Sequence, residues 1–213
     1  MKITGRLFVA FLLSVVCYSC NNGKEKNAET KTGKKEDTIN QAKQQMAVNP
    51  YDPIDISPMD MTYYPAEYPK LKMTKAITDP PVARVIYSRP HLQGRQLFQD
   101  LLKYDEPWRL GANESTELQL YRDVSIQNKK IKAGRYVLYC IPHHDNWTII
   151  LNTNIDSWGL QPDSTKDIAS FSISVKQTNL HLEYYTMIFE KIDNGAELVM
   201  GWDDLEARLP INF

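Results

Sequence analysis

From residue 82 onward, short apolar runs alternate with turn-forming residues, and no apolar stripe of helical period extends beyond two turns. Val82–Tyr87 is rich in β-branched residues and closes on Ser88-Arg89-Pro90, which reads as a strand and its stop. Glu117–Tyr121 alternates, with Leu118 and Leu120 on one face and Glu117 and Gln119 on the other. Val124–Ile126 follows, then Gln127–Lys130 as a turn. Tyr136–Ile141 is almost wholly apolar, which predicts a strand buried on both faces. Trp147–Leu151 is the next strand, and Phe171, Ile173 and Val175 alternate with serines in a half-buried one. Leu182–Ile192 and Ala196–Trp202 flank Asp193-Asn194-Gly195, a hairpin signal because Asn and Gly tolerate the left-handed φ of tight turns. Leu205–Ile211 reads as a closing strand. Upstream, the Pro- and Tyr-rich stretch from Pro50 to about Thr74 predicts an irregular lead-in with a strand near Lys70–Lys75. Gln96–Leu102 predicts one or two helical turns.

About nine short strands with regular turn spacing and no long helix indicate an all-β fold. The expected architecture is a single antiparallel β-sandwich, or flattened barrel, over residues 50–213, rather than alternating βαβ units.

The first 50 residues have a different character. Lys2 and Arg6 precede the apolar run Leu7–Val16, which is too short for a bilayer span of about 20 residues. The run closes on Cys17-Tyr18-Ser19-Cys20, where a small residue before a cysteine is similar to a bacterial lipobox with Cys20 as the acylated residue. Cys17 stands where that pattern prefers leucine. Residues 1–19 therefore read as a lipoprotein signal peptide. Residues 20–49 hold no aromatic residue and few aliphatic ones, and read as a disordered, lipid-anchored tether. The expected place is the bacterial cell envelope, on the periplasmic or the surface side, with the membrane engaged through the N-terminal lipid.

Of 25 basic and 26 acidic residues, eight and four respectively precede residue 51, so the body holds 17 basic against 22 acidic ones. A mildly acidic body lacks the clustered basic face that nucleic acid requires. Cys140 is the one cysteine left in the body, which excludes a disulfide framework there, and its apolar surroundings suggest a buried hydrophobe. No CxxC or HExxH spacing points to a metal, and no cofactor motif is present. Adjacent His143 and His144 on extended chain would face opposite ways, which suits a solvated loop better than a shared ion.

The richest stretch is Trp108-Arg109-Leu110-Gly111-Ala112-Asn113-Glu114, with Arg89 and Arg95 upstream and His91 beside them. Arg89, Arg95, Arg109, Asn113 and Glu114 are the candidate ligand-binding residues. Guanidinium forks suit a carboxylate or phosphate, and Glu114 could orient a water. The competing reading is that these side chains satisfy the backbone groups of a loop crossing the end of a sandwich. Three functions follow: a non-enzymatic binding or interaction module, its ligand a small molecule or a glycan; a hydrolase with Glu114 as general base and arginines stabilising charge; or a purely structural assembly component. Trp158-Gly159 offers an exposed aromatic, whereas Trp147 and Trp202 fall inside strand patterns and read as core.

Tyr87-Ser88-Arg89-Pro90, Gly94-Arg95, Trp108 to Glu114, Ala133-Gly134-Arg135-Tyr136, Ile141-Pro142, Trp147-Thr148-Ile149-Ile150 and Trp158-Gly159 occur in that order. Together they resemble the bacterial family known as domain of unknown function 2911, from about residue 55 to the C-terminus. Ser88 stands where that family has glycine, Leu110 where threonine is common, and Lys132 where proline often precedes Ala-Gly. The resemblance implies an exported or lipid-anchored envelope protein. It implies no reaction, ligand or catalytic residue.

Overall fold

The computed structural model describes residues 55–213. The expected signal peptide, Cys20 and tether lie outside the described residues. Nine strands form one antiparallel sheet: β1 Met59–Tyr64, β2 Ala83–Ser88, β3 Thr116–Leu120, β4 Val124–Ile126, β5 Lys129–Ile131, β6 Gly134–Pro142, β7 Asn146–Asn152, β8 Asp167–Ile192 and β9 Gly195–Asn212. Their order is β1-β2-β3-β6-β7-β8-β9-β4-β5, and the sheet is not closed into a barrel.

Seven strands are short, as the turn spacing suggests, but β8 has 26 residues and β9 has 18. The first part of β8 pairs with β7, from Ser174 opposite Asn146 to Asp167 opposite Asn152. From Val175 opposite Ala207 to Ile192 opposite Gly195, β8 pairs with β9. Within that pairing the register shifts twice, between Gln177 and Leu182 and between Leu182 and Thr186. One long hairpin thus carries the sheet round onto itself, and the two layers of the sandwich belong to a single sheet.

The apolar face follows this path. In β8 the odd positions Ala169, Phe171, Ile173, Tyr185, Met187 and Phe189 are buried. In β9 the buried set begins on even positions, Ala196, Leu198, Met200 and Trp202, and continues on odd ones, Ala207, Leu209 and Ile211. The phase changes around Asp203, whose φ of 57° is left-handed. The register with β8 shifts on either side of this residue, and the strand keeps one face on the core across the change. What reads as two strands, Ala196–Trp202 and Leu205–Ile211, is one bent strand.

The core centres on aromatics contributed by both layers. Trp108 packs against Trp147, Tyr185 and Trp202 with ring centroids 5.8, 4.9 and 5.7 Å away. Tyr87 meets Tyr185 edge-on at 5.8 Å, a geometry that aromatic quadrupoles favour. The Tyr87 hydroxyl accepts from the Met187 N–H at 2.8 Å and donates to the Met187 carbonyl at 3.2 Å. One side chain thereby occupies the place of a strand neighbour, 100 residues away in sequence. Burial pushes the Tyr87 hydroxyl up to about 12, so it stays a neutral donor at physiological pH.

β6 is buried on both faces, as its apolar run predicts. Leu138 and Cys140 lie in the core, while Val137 and Tyr139 are buried on the opposite side. There the Tyr139 hydroxyl donates to Asp167 Oδ2 at 2.7 Å, and buried Asn152 donates to Asp167 Oδ1 at 2.7 Å. That small network covers the outer face with satisfied polar groups. Cys140 is fully buried, and burial raises its thiol pKa well above the ordinary value, so the thiolate is not available as a nucleophile.

Two local expectations change. The strand expected near Lys70–Lys75 is instead a short helix, α1 Tyr68–Met73, with Pro69 in its first turn and no buried residue. Proline there presets a helical φ, and the segment lacks β-branched residues. The lead-in strand lies earlier, as β1, where it pairs along β2 from Met59 opposite Ser88 to Tyr64 opposite Ala83. The helical turns expected over Gln96–Leu102 are a single π-helical turn, Leu97–Leu101.

Candidate functional site: a cationic cleft over the tryptophan cluster

The segment Trp108–Glu114 is held chiefly by its own backbone. Trp108 exchanges backbone hydrogen bonds with Cys140 of β6, at 2.7 and 2.8 Å. Its indole N–H donates to the Gly111 carbonyl at 3.1 Å, and Thr116 Oγ1 donates to the Leu110 carbonyl at 2.7 Å. Leu110 and Asn113 take left-handed φ of 53° and 57°, so the segment is coiled rather than extended. A Cβ on Gly111 would come 3.0 Å from the Ser88 carbonyl oxygen and 3.2 Å from Thr116 Oγ1. A side chain there would have to push the end of β2 or Thr116 back by a few tenths of an ångström, which glycine avoids.

This coiling separates the five expected ligand residues. Arg89 belongs to the framework: its guanidinium donates to the Tyr185 carbonyl at 3.2 Å, Asp60 Oδ2 at 3.2 Å and Thr186 Oγ1 at 2.8 Å. It ties β2 to β1 and β8. Asn113 donates its side-chain amide to Asp55 of the lead-in. Glu114 is exposed and lines a groove of about 480 Å³ together with Glu117, Asp156 and Trp158. Glu117 and Asp156 are both bonded by Arg135, at 2.8 and 3.2 Å. The five residues therefore do not converge on one cavity. Only Arg95 and Arg109 line the same cleft.

That cleft, of about 450 Å³, is built from loops over the tryptophan cluster. Trp108 and Trp202 line its depth and are 8% and 1% exposed. Arg95, Lys103 and Arg109 contribute three cations against the single carboxylate of Glu106, and Glu106 already meets Lys103 at 3.3 Å. Arg95 is held by its own loop, donating from Nε to the Leu92 carbonyl and from Nη2 to the His91 carbonyl, both at 2.9 Å. Arg109 donates from Nη1 to the Trp158 carbonyl at 3.3 Å, and its guanidinium carbon sits 5.9 Å from the Trp158 ring centre. Among the described residues neither arginine has a carboxylate partner. Arg89, Arg135 and Arg208 each do. Partial burial lowers the pKa of Arg109, the direction expected of a cation removed from water without a counter-charge.

Gly159 keeps the Arg109 wall in place. With φ of 78°, it passes so near Ser115 that a Cβ would sit 2.4 Å from Ser115 Oγ and 3.2 Å from Arg109 Cβ. The other wall hangs on the histidines. Asp105 contacts His143 Nδ1, its N–H donates to the Pro142 carbonyl at 2.8 Å, and Tyr104 stacks between Phe98 and His144 with centroids 3.9 Å from each. His143 and His144 thus fasten the segment carrying Leu101, Leu102 and Lys103 to the β6–β7 turn, a tertiary role that reading them as a solvated loop misses. His91 also lines the cleft, stacked on Tyr184 at 5.1 Å with Nδ1 3.8 Å from Glu183 Oε1. Its nearness to the arginines in sequence was the only signal for it. Among the described residues no group of three or more His, Cys, Asp or Glu side chains is placed to hold a metal ion.

Fold and cleft together define an all-β sandwich domain with a cationic, aromatic-lined cleft. The chain belongs to the family described as protein of unknown function (DUF2911), whose family model matches residues 69–211. No match is found among curated proteins or among solved structures.

Proposed function

We propose that this is a lipid-anchored cell-envelope protein that binds a small anionic ligand, a carboxylate or a phosphate, between Arg95 and Arg109, without catalysing a reaction on it. The carrying observation is Arg109: a partly buried guanidinium facing a cleft, with a carbonyl and an aromatic ring as its contacts and no carboxylate among the described residues. A cation in that setting loses hydration that an incoming anion restores. A hydrolase would need Glu114 beside these arginines, and its carboxylate lines the neighbouring groove instead. A purely structural component would have no need of unpaired cations around a cleft. The lipid anchor is supported by the order of basic residues, apolar run, Ser19 and Cys20.

Two measurements test this reading. Isothermal titration of the full chain with acetate and inorganic phosphate should detect binding, and Arg109→Ala should weaken it by roughly 10- to 100-fold, the value of charge-assisted hydrogen bonds. Unchanged affinity in Arg109→Ala would remove the cleft from consideration. Cys20→Ser should move the protein from the membrane fraction to the soluble one on cell fractionation. Retention in the membrane would count against acylation at that residue.

A further inference from the structure

The cleft offers cations, apolar surface and few neutral hydrogen-bonding side chains. Beside the charged groups, Ser57 and His91 are the polar side chains on its walls. Trp108 and Leu101 line it within, and Ile56 and Leu160 border it with 65% and 66% of their surfaces exposed. Single exposed aliphatic residues are ordinary, but these two flank the same opening, beside the guanidiniums of Arg95 and Arg109. Hydroxyls laid against Leu101, Trp108, Ile56 and Leu160 would find no hydrogen-bonding side chain there, and burying them unpaired is costly. An apolar body would bury both rim side chains and be favoured by the apolar area removed from water.

Free donors are available for a head group. Among the described residues, Arg109 Nε and Nη2 and Arg95 Nη1 make no hydrogen bond. Volume sets the size. At about 30 Å³ per water-sized group, about 450 Å³ accommodates roughly 15 non-hydrogen atoms.

Building on the anion-binding reading above, we infer that the ligand is an amphiphilic acid of roughly 15 non-hydrogen atoms, with its carboxylate or phosphate head on Arg95 and Arg109 and its apolar body along Trp108 and Leu101, out between Ile56 and Leu160. A medium-chain alkyl carboxylate or alkyl phosphate has this chemistry. An acidic sugar, similar in charge and polar throughout, does not.

The test uses the full chain carrying Cys20→Ser, so that no acyl group of its own competes, and titrates it calorimetrically with acetate, inorganic phosphate, glucuronate, decanoate and decyl phosphate. Decanoate and decyl phosphate should bind at least about tenfold more tightly than acetate and inorganic phosphate, because several methylenes leave water. The ratio of decanoate to decyl phosphate affinity then identifies the preferred head group. The exposed-residue double variant Ile56→Gln with Leu160→Gln should remove most of that advantage while leaving small-anion affinity and the melting midpoint unchanged. Arg109→Gln should weaken all the anions. Equal affinity for acetate and decanoate, tighter binding of glucuronate than of decanoate, or indifference to the Ile56/Leu160 change would each overturn the amphiphile assignment and leave anion binding standing. No binding of any anion would overturn both.

Discussion

Replacing Trp108 by alanine should cost on the order of 3–5 kcal/mol, the usual range for a core Trp→Ala change, and lower the melting midpoint by on the order of 10 °C for a domain of this size. Three reasons place it among the most damaging single truncations. The ring meets Trp147, Tyr185 and Trp202 from one position, so its removal leaves a cavity shared by both layers. Its indole N–H satisfies the Gly111 carbonyl, which would be left without that donor. Its backbone remains paired with Cys140, which holds the loop open and limits collapse into the void. Thermal denaturation followed by circular dichroism gives the answer directly. A shift of only one or two degrees would mean that the tryptophan cluster does not join the layers as described.

Gly195→Ala should be comparably damaging, for a different reason. Gly195 lies at φ 155°, and a Cβ there would sit 2.0 Å from the Ile211 carbonyl oxygen and 2.9 Å from Asn212 Cα. Both neighbours are backbone, so no side chain can rotate away. Strain in that φ region is worth about 1–3 kcal/mol, and forced overpacking adds about 1–3 kcal/mol. Gly94→Ala is the informative control. It has φ of 74° with nothing within 4 Å of the added methyl, so it measures backbone strain alone. Gly195→Ala should melt well below Gly94→Ala. Equal midpoints would show that the hairpin relaxes around the methyl group.

The sequence conveyed the local alternation well and the tertiary path less well. Leu118 and Leu120, Phe171 and Ile173, and the Asn194-Gly195 turn were legible because their signals have period two or lie in adjacent residues. The lengths of β8 and β9 were not, because alternation lapses where the register shifts near Leu182 and reverses phase at Asp203. α1 was hidden because a proline-rich lead-in resembles irregular chain until its packing is known.

The candidate site shows the same limit. Arg109 and Glu114 are five residues apart in sequence, yet they line different cavities, because Leu110 and Asn113 turn left-handed between them. Arg89 looked like a ligand residue because Tyr185 and Thr186, which occupy it, lie nearly 100 positions later. What survives of the sequence cluster is Arg95 and Arg109, joined by Lys103 and His91 once the loops are folded.

The long terminal hairpin also orders events in time. Tyr87 meets Tyr185 and Met187, and Trp108 meets Tyr185 and Trp202, all of them in β8 and β9. A chain emerging from its N-terminus therefore carries β2, β6 and β7 with their apolar faces uncovered until its last two strands arrive. Contacts at that separation close slowly, because loop entropy must be overcome before they return any stability. The hairpin, by contrast, pairs residues that are neighbours in sequence around Asn194-Gly195 and can form first among its own strands. A chain truncated before Tyr185 would present an open, aggregation-prone sheet.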